Sequence, residues 1–182
     1  MRGTFDYSTG EYYAEGFDDD HGFAENLPLL QDITNTGEGG FNFLKIDSGM
    51  TEILRPCMYG GQHPITVHSQ SKEVEQDEQS VVVGKDLDYV VVGHCCESGD
   101  LLSCAPGEPD RLSAKSFNNV KINDLLLVGG SGAYCSSMNA KNYNSFPEAA
   151  EVLVDASGSF HLIRQRQTMD HMLANEVKYS PV

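Results

Sequence analysis

The chain has 182 residues, 40% of them apolar, and a formal net charge of -15. That size suits one domain, and the charge argues against nucleic acid or an anionic membrane as partner, since both need a basic surface. No run of about 18 apolar residues is present to span a membrane, and the start, Met1-Arg2-Gly3-Thr4-Phe5-Asp6, lacks the apolar core of a signal peptide, so a cytoplasmic location is expected.

Residues 1–40 differ from the rest. They hold nine acids against one base, Arg2, and read as an acidic, irregular N-terminal segment. Asp18-Asp19-Asp20-His21 has no flanking ligand spacing and reads as solvated charge rather than a metal site. The domain proper is expected over residues 41–182. Residues 41–47 nearly alternate and predict a strand. A turn at Ser48-Gly49-Met50 leads to one helical turn over 51–54. Arg55 precedes Pro56, which disfavours helix, so Arg55 is expected on a loop.

Residues 64–68 read as a second strand and 69–80 as a charged loop. Strands follow at 81–83 and 88–94. The valine run Val90-Val91-Val92 then breaks into Gly93-His94-Cys95-Cys96-Glu97-Ser98-Gly99-Asp100. A buried strand ending in thiols and carboxylates places reactive groups on a rim. Burying those carboxylates without partners is costly. From the residues alone, this cluster reads as either a structural turn or a reactive site.

Another short strand is expected at 101–104, a loop at 106–115 and a buried strand within 120–128. A glycine-rich turn at 129–134 precedes a short helix at 135–140. A hairpin joins 150–155 to 160–164, and a short terminal helix lies within 168–177. The result is a mainly all-β fold, a Greek-key-like β-barrel or sandwich of about eight short strands with one or two short helices. Five cysteines, odd in number and without a C-x-x-C pair, favour reduced thiols over zinc or a disulfide framework.

Three separated stretches carry a resemblance. Asp47-Ser48-Gly49-Met50 with Arg55-Pro56-Cys57-Met58-Tyr59, then Cys96-Glu97-Ser98-Gly99-Asp100, then Gly132-Ala133-Tyr134 with Tyr143-Asn144, are together similar to the C-terminal β domain of diaminopimelate decarboxylase. That family comprises pyridoxal-phosphate-dependent decarboxylases of ornithine, diaminopimelate and arginine with an alanine-racemase-like fold. The resemblance covers roughly residues 41–167 and leaves 1–40 unmatched.

The resemblance implies that Cys96 is the proton donor after CO2 departs. Glu97 then holds the substrate's distal ammonium, Arg55 and Tyr59 its distal carboxylate, and Tyr134 reaches both cofactor and substrate. The residue types suit these tasks. A thiol with an ordinary pKa near 8.5 keeps a proton to give at neutral pH. A guanidinium forks onto a carboxylate. Relatives acting on ornithine carry Asp after this Cys, so Glu97 with Arg55 favours a substrate with an amine and a carboxylate at its far end. His63 and His94 read as packing or hydrogen-bonding residues. Cys57, Cys95, Cys104 and Cys135 read as buried thiols, with Cys95 the competitor to Cys96.

The family's enzyme also has a (β/α)8 barrel of about 250 residues carrying the cofactor lysine. None of Lys45, Lys72, Lys85, Lys115, Lys121, Lys141 or Lys178 stands in such a motif. The expectation is therefore the C-terminal half of a diaminopimelate decarboxylase, inactive alone. Its partner would be a barrel domain on the same or a separate chain, in a homodimer that binds pyridoxal 5'-phosphate mainly through the barrel. The alternatives are a non-catalytic module that pairs with an intact decarboxylase, or half of an ornithine- or arginine-type enzyme. No metal is expected.

Overall fold

The computed structural model describes residues 28–69, 87–132 and 134–180, together with the backbone of residues 3–6 and 11–14. The described residues form twelve short strands and two short α-helices. The strands are β1 (Gly3–Asp6), β2 (Glu11–Ala14), β3 (Leu30–Asn35), β4 (Asn42–Ile46), β5 (Ile65–His68) and β6 (Leu87–Val92). They continue with β7 (Cys104–Ala105), β8 (Glu108–Leu112), β9 (Lys115–Phe117), β10 (Leu125–Val128), β11 (Glu151–Val154) and β12 (Phe160–Arg164). The helices are α1 (Arg55–Tyr59) and α2 (Met169–Met172).

The mainly-β expectation holds, in its sandwich form. The strands make several small sheets, and no closed barrel forms among the described residues. The largest sheet has the order β3-β4-β6-β9; β6 runs parallel to β4 and antiparallel to β9. Opposite it lies the pair β5–β10. Leu30, Leu44, Ile46, Tyr89 and Val91 from the first sheet meet Ile65, Leu126 and Val128 from the second in one buried cluster. Each such side chain contributes about 1.5–3 kcal/mol on burial.

From Tyr89 to Val91 β6 is covered on both faces, which is why this stretch is a continuous apolar run rather than an alternating one. Val91 joins the main core, while Val90 faces a second cluster with Leu101 and Cys104. The strand is thus fixed from both sides, and its C-terminal end is a rigid base for the residues that follow.

The structure departs from the sequence reading in several places, among them the turn rather than helix at 51–54 and the strand expected at 101–104, of which only Cys104 is in β7. Residues 1–40 are not irregular throughout: β1 pairs with β2, and β3 pairs with β4. β3 buries only Leu30 and exposes the rest, so it gives no periodic apolar signal. Arg55 opens α1 rather than sitting on a loop, because Pro56 occupies the first turn, where its missing N–H costs nothing. Residues 106–115 contain β8, an edge strand of the β7–β8 pair that tolerates Pro109. Residues 135–140 form turns instead of a helix. The expected strand at 81–83 and the Asp18-Asp19-Asp20-His21 run lie outside the described residues.

Candidate active site

The loop after β6 is closed by its own backbone. Gly93 N–H donates to the Asp100 carbonyl at 2.9 Å, and Asp100 N–H to the Glu97 carbonyl at 3.0 Å. Asp100 is only 3% exposed. Its side chain accepts from Met50 N–H at 2.7 Å and from Cys95 N–H at 2.8 Å. One buried carboxylate therefore ties the turn at Ser48-Gly49-Met50 to the Cys95–Cys96 backbone, and it is partnered as burial demands. Both neighbouring glycines are needed. A Cβ on Gly49 would lie 2.3 Å from an Asp100 oxygen, and one on Gly93 2.2 Å.

This bracing sets the two adjacent cysteines apart. Cys95 is half-buried, and burial, followed by the Asp100 charge, pushes its thiol up to about 12. Cys96 is exposed on the rim, where the Asn144 side-chain amide donates to its sulfur at 3.3 Å. Glu97 is exposed as well and accepts from Gly99 N–H, Tyr143 O–H and Ser98 O–H at 3.2, 3.1 and 3.3 Å. Those bonds, the Gly99 amide first, hold its carboxyl below the ordinary range, so it is anionic at neutral pH. The shared bond with Glu97 in turn raises the Tyr143 phenol.

α1 lies against this loop. The Cys57 Cβ is 3.9 Å from where a side chain on Gly99 would begin. Burial, then the charge of Asp100, raises the Cys57 thiol. Gly60 ends the helix at φ +61, its N–H donating to Pro56. A Cβ there would meet the Glu108 N–H group at 2.4 Å. Arg55 and Tyr59, one turn apart, share a helix face. Tyr59 is 54% exposed.

Tyr134 sits on a separate support. The glycine-rich turn puts it at φ +60, 64% exposed, beside the fully buried Cys135. The structure thus joins Cys96 and Glu97 directly and α1 with them through Cys57. It does not join Tyr134 to these residues.

The sequence reading counted Tyr143-Asn144 among the residues that carry the resemblance but gave them no role, and read His94 as a packing or hydrogen-bonding residue, both of which it is. The ring of His94 stacks on Phe146 at 3.7 Å, and its Nε2 lies 2.8 Å from the Thr51 hydroxyl. That hydroxyl donates to Glu52 at 2.5 Å, so His94 Nε2 carries a proton and donates to Thr51. His63 is buried; its Nδ1–H donates to the Gly129 carbonyl at 3.1 Å, and burial lowers its pKa. Among the described residues, no cluster of His, Cys, Asp and Glu suits a metal ion. No helix there is long and apolar enough to cross a membrane.

Residues 29–132 match the family model described as the pyridoxal-dependent decarboxylase, C-terminal sheet domain. The chain belongs to this family. It is similar to the diaminopimelate decarboxylase of Buchnera aphidicola subsp. Baizongia pistaciae, 37% identical over 135 residues, covering 74% of this chain and 30% of that protein. The diaminopimelate decarboxylase of Escherichia coli K12 is 36% identical over 139 residues, with 76% and 31% covered. A solved diaminopimelate decarboxylase superposes with a TM-score of 0.69 at 32% identity, covering 82% of this chain and 33% of that one. The M. jannaschii diaminopimelate decarboxylase in co-complex with L-lysine gives 0.61 at 28%, with 84% and 30% covered. The chain spans about a third of the length of the relatives it matches.

A pyridoxal cofactor fits these residues only at its edge. The exposed phenol of Tyr134 on its αL support is free to reach a ring held by another element. Among the described residues nothing encloses such a ring, and no lysine stands in the cluster around Cys96.

Proposed function

We infer that this chain is the C-terminal half of a diaminopimelate decarboxylase, which converts meso-2,6-diaminopimelate to L-lysine and CO2. The observation that carries the reading is the rim formed by Cys96 and Glu97, with α1 packed beside it. When bound, pyridoxal phosphate takes up the electron pair left by the departing carboxylate. The remaining tasks belong to side chains. Cys96 holds a proton at Sγ and delivers it to the carbon that lost CO2. Glu97, anionic through its three donated bonds, pairs with the distal ammonium. Arg55 forks onto the distal carboxylate, and Tyr59 donates its hydroxyl to the same group. Tyr134 lines the edge of the cofactor site.

In this reading the domain, expected over residues 41–182 and matched by the family model from residue 29, is supplied across a subunit interface to a barrel that holds the cofactor, in a cytoplasmic homodimer. The relatives' greater length leaves room for that barrel. The test is complementation. This chain, a barrel-only protein and pyridoxal phosphate are expected to release CO2 from meso-diaminopimelate only when combined, and the C96A chain to release none. Combination without CO2 release would discard the reading.

The acidic first 40 residues favour a second reading, a non-catalytic module that pairs with an intact decarboxylase. Co-purification with such an enzyme, without dependence of its activity on Cys96, would support it.

A further inference from the structure

The segment over residues 142–146 carries three backbone oddities within four residues. Asn142, Asn144 and Ser145 all have left-handed backbones, at φ 59°, 51° and 62°. Asparagine tolerates that region better than most residues, serine less well, so something outside the backbone holds the turn. Its base is pinned twice. The Asn142 amide is hydrogen-bonded to the Gln167 amide and donates to the Phe146 carbonyl at 3.0 Å. Phe146 stacks on His94, the second residue of the Cys96 loop. Ala140 N–H also donates to the Met50 carbonyl at 3.0 Å, on the residue whose N–H binds Asp100.

The tip of the turn holds two groups of the rim. Tyr143 O–H donates to Glu97 Oε2 at 3.1 Å, and Asn144 Nδ2 donates to Cys96 Sγ at 3.3 Å. Two adjacent residues of one turn thus engage two adjacent residues of another loop, 46 to 48 positions away. An exposed cysteine on a loop otherwise samples several rotamers, and an exposed carboxylate does the same. We propose that Tyr143 and Asn144 are positioning residues that fix the rotamer of Cys96 and the orientation of Glu97 together, so that proton donor and ammonium ligand face the substrate in one arrangement.

This rests on the roles proposed for Cys96 and Glu97, but its test needs neither cofactor nor substrate. In the isotopically labelled chain, β-proton couplings report the Cys96 side-chain rotamer. Asn144→Gly keeps the left-handed backbone, which glycine adopts freely, and removes only the side-chain donor. Asn144→Asp keeps the shape and the tolerance for this backbone but has no N–H to give. Both variants are expected to lose the single-rotamer coupling pattern of the parent, with the backbone amide spectrum otherwise retained. A Cys96 rotamer unchanged in Asn144→Gly, or in Asn144→Asp if the glycine variant perturbs the fold, would overturn the proposal. For the second contact, Tyr143→Phe is expected to move the Glu97 carboxyl titration upward; no movement would remove Tyr143 from the device. Failure of either arm leaves the decarboxylase reading standing, and failure of complementation leaves these geometric results standing.

Discussion

Asp100 does its work almost entirely away from solvent. Its two side-chain oxygens each satisfy a different backbone N–H, and the glycines that approach it leave no room for a Cβ. Asparagine at position 100 has one acceptor oxygen and one donor amide, so one buried N–H would face another donor. Asp100→Asn is expected to cost about 1–3 kcal/mol, the usual penalty for an unsatisfied buried group. Gly93→Ala, which drives the carboxylate out of place, should cost at least as much. Urea unfolding of the two variants beside the parent measures this, and midpoints within error of the parent would remove Asp100 from the bracing role. The same geometry separates the thiols. Cys96 is exposed, Cys104 and Cys135 are buried, and Cys95 is pushed to about 12. Because the thiolate is the species that reacts, iodoacetamide at pH 8 is expected to modify Cys96 before any other cysteine. Peptide mass mapping of a brief reaction decides this, and earlier labelling of Cys95 would reverse the assignment of the two residues. At this scale much was legible: the Cys96-Glu97 pair could be read from the motif, as could the need of a buried carboxylate for partners. What could not be read was which carboxylate is buried. Glu97 and Asp100 are alike in sequence, and only the closed loop places one outside and the other within.

Elements differ in how far their sequence announces them. β10 and the Tyr89–Val91 part of β6 read as apolar runs because every one of those residues is buried. β3 and β8 escaped notice because edge strands that bury one residue or none carry no pattern. α1 was hidden by the rule against helix before proline, which is outweighed when the proline falls in the first turn. Tyr143-Asn144 could be quoted as part of the resemblance, but the left-handed turn over residues 142–146 was beyond reach, since left-handed asparagines are set by distant partners. The β11–β12 hairpin, by contrast, was read correctly, and its turn supplies a testable device. Asp155 accepts from the Ser157 hydroxyl, from the Ser157 and Ser159 amides, and from His161. These bonds, the Ser157 hydroxyl first, hold its carboxyl well below the ordinary carboxylate range. A depressed acid stabilises the fold above its unfolded pKa and loses that contribution as pH falls through the folded value. The turn is therefore expected to stay intact throughout the ordinary carboxylate range. In Asp155→Ala, hydrogen exchange at the Ser157 and Ser159 amides should speed up severalfold at pH 6, and equal exchange rates would show that the hairpin holds without this carboxylate.

At the scale of the molecule, the described chain is well covered around β6 and poorly covered beyond residue 150. In β12, Leu162 is 60% exposed and Ile163 56%. Successive strand residues face opposite sides, so the hairpin presents apolar groups on both faces. Met169 and Leu173, at α2 and its C-terminal boundary, add to this surface. A two-stranded hairpin is marginal by itself, and neighbouring apolar residues exposed along one element are the kind of surface that a partner covers. The relatives are about two and a half times as long as the chain, and in the proposed enzyme the additional length covers this hairpin. Alone, the chain is expected to satisfy the surface with its own copies. Sedimentation velocity over a hundredfold range of concentration should show a rising average mass. The Leu162→Lys, Ile163→Lys double variant should stay monomeric with an unchanged circular dichroism spectrum, because neither residue belongs to either buried cluster. Adding the barrel-only protein should suppress self-association of the parent and have little effect on the variant, since both would compete for one face. A parent chain that remains monomeric at the highest concentration would mean that the hairpin needs no cover, and the covered surface of the proposed enzyme would have to be sought nearer Tyr59 and Tyr134.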